Sequence, residues 1–245
     1  MPRAPRIDIG GVPYHVLNRA VATRRLFEDA GDYQSFGRVL AEAQARVPVR
    51  LFSYCIMPTH WHLVLAPEKD GGLSAFMAWL TMTHTQRWHT HRGSVGSGHL
   101  YQGRFKSFPI QADDHFITVC RYVERNPLRA GLVQRAQDWQ WSSLGRREHE
   151  PEGVKPEGVR SPICKAPDPF YPGTPPRKAP GPVPRLSPWP VPRPVKWLEF
   201  VNAPQSDCEV TQIRQCVTRG IPWGEAMWAA GLRSPSDERG QEPNR

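Results

Sequence analysis

The prolines of this 245-residue chain are concentrated in one stretch, which limits what the chain can fold into. Sixteen of the 27 prolines lie between positions 151 and 204. Proline fixes the backbone φ angle and has no amide donor, so this stretch favours neither a helix nor a central strand. Beyond it, Val210, Ile213 and Val217 recur at helical spacing. We therefore predict a domain over residues 1–144, a proline-rich linker over 145–195, a small helical segment over 196–235 and a flexible tail over 236–245.

The composition favours a soluble chain with a polyanionic partner. Hydrophobic residues make up 39%, and the mean hydropathy is −0.56. No apolar run approaches the roughly 18 residues of a membrane span, and no secretory signal precedes the domain, so we predict a cytoplasmic protein without a membrane partner. The 32 Lys and Arg residues exceed the 23 acidic ones, for a net charge of +9. The five cysteines include no C-x-x-C pair, so neither a disulfide framework nor a zinc knuckle is expected.

Periodicity within residues 1–144 predicts an α+β fold, an antiparallel sheet with packed helices. The pattern predicts strands over 12–18, 49–56, 60–66 and 103–111, of which the second and third form a hairpin. It predicts helices over 32–45, 73–91 and 113–126, with Asp32 as the N-cap of the first and Pro127 as the end of the last. A hairpin implies antiparallel pairing.

Two histidines begin the third predicted strand. His60 and His62 are two residues apart, so their imidazoles project from one face while Trp61 points to the other. Two neutral imidazoles side by side suit a divalent ion that has one or two further ligands. The alternative is a pair of half-buried histidines that bind nothing, and the spacing alone does not separate the two.

A second candidate group lies on the last predicted helix. Tyr122 and Asn126 are four residues apart and so share a helix face. Asparagine offers a carbonyl oxygen to a hard cation, and tyrosine offers a nucleophile for covalent catalysis. Tyrosine packing and an ordinary Asn-Pro helix end explain the same residues. The chain has six tyrosines, so spacing does not select Tyr122.

Several motifs occur in the order found in one family. Met57-Pro-Thr-His-Trp-His-Leu resembles the M-P-N-H-x-H-L segment of single-tyrosine HUH transposases, the insertion-sequence-200-like family, and especially its REP-associated branch. Thr59 replaces the usual asparagine before the first histidine. The resemblance spans residues 7–144 and extends to further segments: Tyr14-His-Val-Leu-Asn-Arg, Asp32-Tyr-Gln-Ser-Phe, Tyr101-Gln-Gly-Arg-Phe-Lys-Ser, Arg121-Tyr-Val-Glu-Arg-Asn-Pro, Trp139-Gln-Trp-Ser-Ser and, more weakly, Arg219-Gly-Ile-Pro-Trp-Gly.

The resemblance implies a ferredoxin-like or RRM-like HUH fold and a metal-dependent single-stranded DNA endonuclease and strand transferase acting on hairpin DNA. Tyr122 matches the nucleophile that forms a 5′-phosphotyrosine, while His60, His62 and Asn126 match the ligands of Mg²⁺ or Mn²⁺. The implied protein is a monomer or a homodimer. The alternative is a domesticated protein that binds DNA hairpins without mobilising DNA.

Basic residues near these motifs are candidates for DNA contacts. Phosphate contacts position a protein on DNA, and arginines mixed with aromatic residues suit unpaired bases. Exposed basic residues on a solvated face are the alternative. Tyr101 is the rival nucleophile, and we predict solvated side chains for His84, His89, His91 and His99. The candidate DNA contacts are His15, Arg19, Arg104, Lys106, Arg121 and Arg125.

The predicted linker also has a consequence for folding. If residues 145–195 are only a spacer, residues 1–150 should fold and bind metal by themselves. A C-terminal segment that packs on the domain would instead make the two parts depend on each other.

Overall fold

The computed structural model describes residues 6–149 and 183–232, with a four-stranded antiparallel sheet at its centre. The strands are β1 (Tyr14–Arg19), β2 (Val49–Met57), β3 (His60–Pro67) and β4 (Lys106–Pro109). They lie in the order β2-β3-β1-β4, so the predicted hairpin pairs β2 with β3, and β3 has a strand on each side. Every residue of β3 except His60 is buried. The predicted α+β class is confirmed, although β4 is shorter than the predicted strand over 103–111.

One face of the sheet packs on two long helices, α1 (Ala30–Arg46) and α2 (Gly72–His91). Trp61, Leu63 and Leu65 of β3 belong to this core. The predicted N-cap of α1 is wrong by one turn, because the side chain of Asp29 accepts the hydrogen bond from the amide of Asp32. The Asp32 carboxylate instead forms a 2.6 Å ion pair with Arg92 at the end of α2. A 3₁₀ turn (Val21–Thr23) follows β1.

The opposite face packs on α3 (Asp114–Glu124), which continues into the short helix α4 (Asn126–Arg129). α3 ends at Glu124, two residues before the predicted end at Asn126, and Pro127 lies in the first turn of α4 rather than outside a helix. A proline is tolerated there because the first-turn amides have no partner within the helix. A 3₁₀ turn (Ala136–Asp138) and α5 (Ser143–His149) complete this part of the fold.

The C-terminal segment forms three helices, α6 (Trp197–Asn202), α7 (Asp207–Arg219) and α8 (Ala226–Gly231). A capping box between Ser206 and Glu209 begins α7, and Gly220, with a φ of 72°, ends it. Such a left-handed C-terminal position favours glycine. The predicted helical segment is therefore present, and buried residues of α6 and α7 join the core on the α3 face of the sheet.

Residues 183–195, which belong to the predicted linker, pack against β2. The amide of Ser187 donates to the carbonyl of Leu51 at 2.7 Å, and the indole of Trp189 donates to the carbonyl of Phe52 at 3.0 Å. Prolines permit such an extended course along the sheet even though they preclude a helix. Residues 150–182 of the predicted linker and the predicted tail over 236–245 lie outside the described residues.

Glu124 joins the two parts of the chain. Its buried carboxylate accepts a hydrogen bond from the indole of Trp197 at 2.7 Å and one from the hydroxyl of Ser143 at 2.6 Å. It also forms a 3.1 Å ion pair with Arg147. A buried carboxylate is tolerated only when it is paired and hydrogen-bonded, so α3 is held to both parts of the chain through Glu124. Among the helices that the structure describes, none is long and apolar enough to cross a bilayer.

Candidate active site

His60 and His62 lie at the start of β3, on the face that packs against α3. Their ring centroids are 5.0 Å apart, whereas Trp61 lies in the core of the opposite face. His62 is buried, with 3% exposure, and His60 is half-buried. The alternation of a strand therefore presents both imidazoles to the same space, as the spacing predicts.

Tyr122 and Asn126 approach this pair from the helices. The ring centroid of Tyr122 is 6.0 Å from that of His62, in an edge-on arrangement. The Asn126 side chain is buried and donates to the carbonyl of Tyr122, one helical turn before it. The structure thus brings the predicted nucleophile and the imidazoles together, with Asn126 beside the nucleophile.

Arg129 belongs to the same group and was not singled out by the sequence analysis. Its guanidinium lies 4.4 Å from the centroid of the Tyr122 ring and donates to the Oδ1 of Asn126. A signal was present in the sequence, since Arg129 follows Asn126 by three residues and Tyr122 by seven, which places all three on one helical face. Arg129 therefore supplies a fixed positive charge beside the candidate nucleophile.

His15 occupies a different position from the one predicted. Its side chain is fully buried in β1, and its Nε2 lies 2.9 Å from the Nδ1 of His62. Its ring also contacts Phe108, at a centroid distance of 5.0 Å. This burial does not fit the predicted contact with DNA phosphate, because a phosphate group would have to reach the interior of the domain.

The three imidazoles are held in the neutral form. Burial lowers the pKa of His15 to about 3. Burial, together with the charges of Arg19 and Arg129, lowers the pKa of His60 to about 4. Burial is also the largest cause of the pKa of His62 lying well below its usual range, with the neighbouring His60 next. All three rings are therefore neutral at physiological pH, and neutral imidazole is the form that binds a metal ion.

The donor atoms of this group fit a divalent cation. His62 Nε2 is buried and has no hydrogen-bond partner within the described residues. His60 uses Nδ1 in a 3.0 Å contact with the hydroxyl of Thr59, which leaves Nε2 as its second ring nitrogen. Across residues 6–149 and 183–232, no cluster of three or more His, Cys, Asp or Glu side chains could hold a metal. Asn126, beside Tyr122, offers an amide oxygen as a third ligand once Arg129 no longer occupies it.

The basic residues predicted to contact DNA fall into two groups. Arg19, Arg104 and Lys106 are exposed, and Arg19 pairs in register with His60 at the edge of the site. The guanidinium of Arg121 instead donates to the carbonyls of Ala203 and Pro204, and that of Arg125 to the carbonyls of Val201 and Asn202. The C-terminal segment thus engages both of these arginines.

Tyr101, the rival nucleophile, lies on the other face of the sheet. Its hydroxyl accepts from the indole of Trp61 at 3.0 Å and lies 2.6 Å from the Nδ1 of His84. The predicted solvation of His84 and His89 is wrong, since they are 1% and 6% exposed. Aromatic rings pack around His84, and Ser94 bonds to His89. His91 and His99 are exposed, as predicted.

Comparisons with known proteins agree with the resemblance in the motifs. Residues 9–126 match the family model described as "Transposase IS200 like". A curated "Putative REP-associated tyrosine transposase" of Haemophilus influenzae is 27% identical over 107 residues, which cover 40% of this chain and 61% of that relative's length. A solved structure of a REP-associated tyrosine transposase bound to a REP hairpin matches with a TM-score of 0.51 at 20% identity, over 67% of this chain and 99% of that one. That likeness shows a shared fold.

Proposed function

Because residues 9–126 match the model of the IS200-like transposase family, we propose that the protein is a metal-dependent single-stranded DNA endonuclease and strand transferase. The observation that carries the proposal is the convergence of Tyr122 with His60 and His62 on one face of the sheet. A nucleophile beside two neutral imidazoles suits metal-assisted phosphoryl transfer.

His60, His62 and Asn126 would hold Mg²⁺ or Mn²⁺. When bound, the cation would polarise the scissile phosphate and offset the charge on its oxygens. The unpartnered Nε2 of His62 supports this assignment, because a buried ring nitrogen without a partner is costly unless something binds it. Arg129 would have to release the Oδ1 of Asn126 for that oxygen to act as a ligand.

Tyr122 would attack the phosphorus of the scissile phosphodiester through its phenolic oxygen. A bond forms between this oxygen and phosphorus, and the bond between phosphorus and the 3′ oxygen breaks. The phenolic proton that is lost is balanced by the proton that the departing 3′ oxygen gains. The products are a 5′-phosphotyrosine and a free 3′-OH, and the retained phosphodiester energy allows rejoining to another strand. Arg129, over the Tyr122 ring, would stabilise the negative charge that develops on the phenolic oxygen.

We propose hairpin DNA as the substrate. The solved relative with the same fold is bound to a REP hairpin, which supports this assignment. The exposed Arg19, Arg104 and Lys106 would contact the DNA backbone, and Arg19 stands beside His60. Arg121 and Arg125 would contact DNA only after leaving the carbonyls of the C-terminal segment.

A second candidate function is hairpin binding without cleavage. The observation that favours it is the closed state of the site, since Tyr122 and Asn126 are 5% and 3% exposed. Arg129 also occupies the amide oxygen of Asn126. DNA binding would then depend on the exposed basic residues, and the buried tyrosine would serve packing.

One experiment separates the two functions. The full chain is incubated with end-labelled single-stranded hairpin DNA and Mn²⁺, and the products are resolved in SDS. We expect a DNA–protein band that survives SDS, is lost in EDTA and is absent in the His62→Ala variant. A gel shift without any covalent band, at several hairpin sequences, would favour the binding protein.

A further inference from the structure

The hydrogen bond between His15 and His62 links two buried imidazoles, only one of which is a proposed metal ligand. Leu17 of β1 is the register partner of His62, so His15 reaches His62 diagonally across the strand pair. The two rings lie nearly parallel, with an interplanar angle of 22°, and 2.9 Å separates Nε2 of His15 from Nδ1 of His62. Phe108 and Tyr122 pack against the His15 ring, at centroid distances of 5.0 and 6.1 Å.

A nitrogen-to-nitrogen contact of this length requires one proton between the two atoms. A neutral imidazole has a single N–H, so only two arrangements are possible. If His15 donates, the proton of His62 lies on Nε2, which then has no lone pair for a cation. If His62 donates through Nδ1–H, its Nε2 has a free lone pair. The direction of one hydrogen bond therefore decides whether His62 can be a ligand.

We propose that His15 is a positioning residue that accepts the hydrogen bond from His62 Nδ1–H and so keeps His62 Nε2 unprotonated toward the cation site. This inference rests on the proposed function. It is supported by the position of His62 Nε2, which is buried and has no partner in the described part of the chain. His15 Nδ1 is likewise buried without a partner there, so either arrangement leaves one N–H without an acceptor. Only the arrangement in which His62 donates leaves a lone pair on its Nε2, where a cation would satisfy it, whereas the other arrangement directs an N–H at the cation.

The first test measures Mn²⁺ affinity in the full chain by calorimetry. His15→Phe keeps a ring but removes the acceptor, so we expect about 10- to 100-fold weaker binding. His15→Gln places an acceptor oxygen near the position of Nε2 and should restore affinity to near the wild-type value. The matched control is His84→Phe, which alters an equally buried histidine on the other face of the sheet and should leave Mn²⁺ affinity unchanged.

The second test does not require any variant to fold. Nitrogen-15 NMR of the metal-free wild-type chain at neutral pH reports which ring nitrogen of each histidine carries the proton. We expect the proton of His62 on Nδ1 and a bare Nε2. A proton on Nε2 of His62, or wild-type Mn²⁺ affinity in folded His15→Phe, would overturn the role of His15.

The outcomes also separate this inference from the proposed function. If His60→Ala loses Mn²⁺ binding while His15→Phe keeps it, the metal site stands and only the role of His15 fails. If the wild-type chain binds no Mn²⁺ at all, the metal-dependent function and the role of His15 both fail.

Discussion

Tyr122 and Tyr101 are both buried, but on opposite faces of the sheet, which makes them a matched pair for identifying the nucleophile. Tyr122→Phe keeps the ring that packs on His62, so the free energy of unfolding should change by no more than about 1–2 kcal/mol. The covalent DNA adduct should disappear, while binding of single-stranded DNA should persist. The measurements are urea unfolding, the SDS-resistant band and a binding titration.

Tyr101→Phe should behave in the opposite way. It removes the hydroxyl shared by Trp61 and His84, and we expect a loss of about 1–3 kcal/mol because two buried groups lose their partner. The adduct should form normally. A nucleotide on the peptide that contains Tyr101, found by mass spectrometry of the trimmed adduct, would contradict the assignment of Tyr122.

His84 should make stability depend on pH. Burial lowers its pKa from 6.5 to about 3. Between these two pH values, His84 is protonated in the unfolded chain but not in the folded chain. The stabilisation is complete above pH 6.5 and is lost as the pH falls toward 3, by at most about 1.4 kcal/mol per pH unit for this one group. His84→Gln should show a shallower decline in unfolding free energy between pH 6.5 and 4. The exposed His91→Gln is the control, and an unchanged slope in His84→Gln would refute the argument.

The site residues that lie in compact sequence patterns could be predicted, and those brought in by the fold could not. His60 and His62 share a strand face, and Tyr122 and Asn126 share a helix face, so local periodicity relates each pair. The contact between His15 and His62 depends on which strand pairs with β3, and that is a property of the sheet. For the same reason the burial of His84 could not be predicted. It results from packing against Phe27 and Phe36, which lie far from His84 in the sequence.

At the scale of elements, α3 depends on the carboxylate of Glu124 for its position. Trp197→Phe removes the indole donor at 2.7 Å and leaves part of a buried carboxylate without its partner. We expect a loss of about 1–3 kcal/mol in unfolding free energy, because hydrogen bonds to charged groups are stronger than those between neutral groups. Chemical denaturation of the full chain measures it.

The matched control for this change is Trp223→Phe. Trp223 lies in the same C-terminal segment, and its indole donates at 3.2 Å to the backbone carbonyl of His115. This acceptor carries no charge, and the hydrogen bond is only partly buried. Its removal should cost less than the removal of the Trp197 indole. Equal losses in the two variants would mean that Glu124 has no special role in holding α3.

At the scale of the whole molecule, residues 183–232 complete the core on one side of the sheet. A fragment of residues 1–149 would expose the surfaces that Trp197, Val201 and Ile213 cover in the full chain. Each such side chain contributes about 1.5–3 kcal/mol, a large share of the 5–15 kcal/mol typical of a domain. We expect the fragment to unfold at much lower urea or to aggregate, and an unchanged urea midpoint would show that the domain is independent after all.

The fold class could be predicted from the sequence because the hairpin and the amphipathic helices show their periods directly. The packing of residues 183–195 could not, since a proline-rich stretch has no hydrophobic period from which to infer contacts. The backbone of this stretch runs along the edge of the sheet at β2, where the amide of Ser187 donates to Leu51 and the indole of Trp189 donates to Phe52. Proline content therefore predicted an extended backbone here, but it could not show that residues 183–195 pack on β2.

The bond between Glu124 and Trp197 also has a consequence for synthesis. A ribosome makes residues 124 and 197 in that order, so the helix that carries Tyr122 is translated well before one of the side chains that holds it in place. Domains begin to fold from the N-terminus as they emerge. During translation the part of the chain that carries the candidate site would therefore remain incompletely packed until α6 and α7 have also left the ribosome. In a nascent chain the candidate site would therefore be fully assembled only after residues 197–219 have left the ribosome.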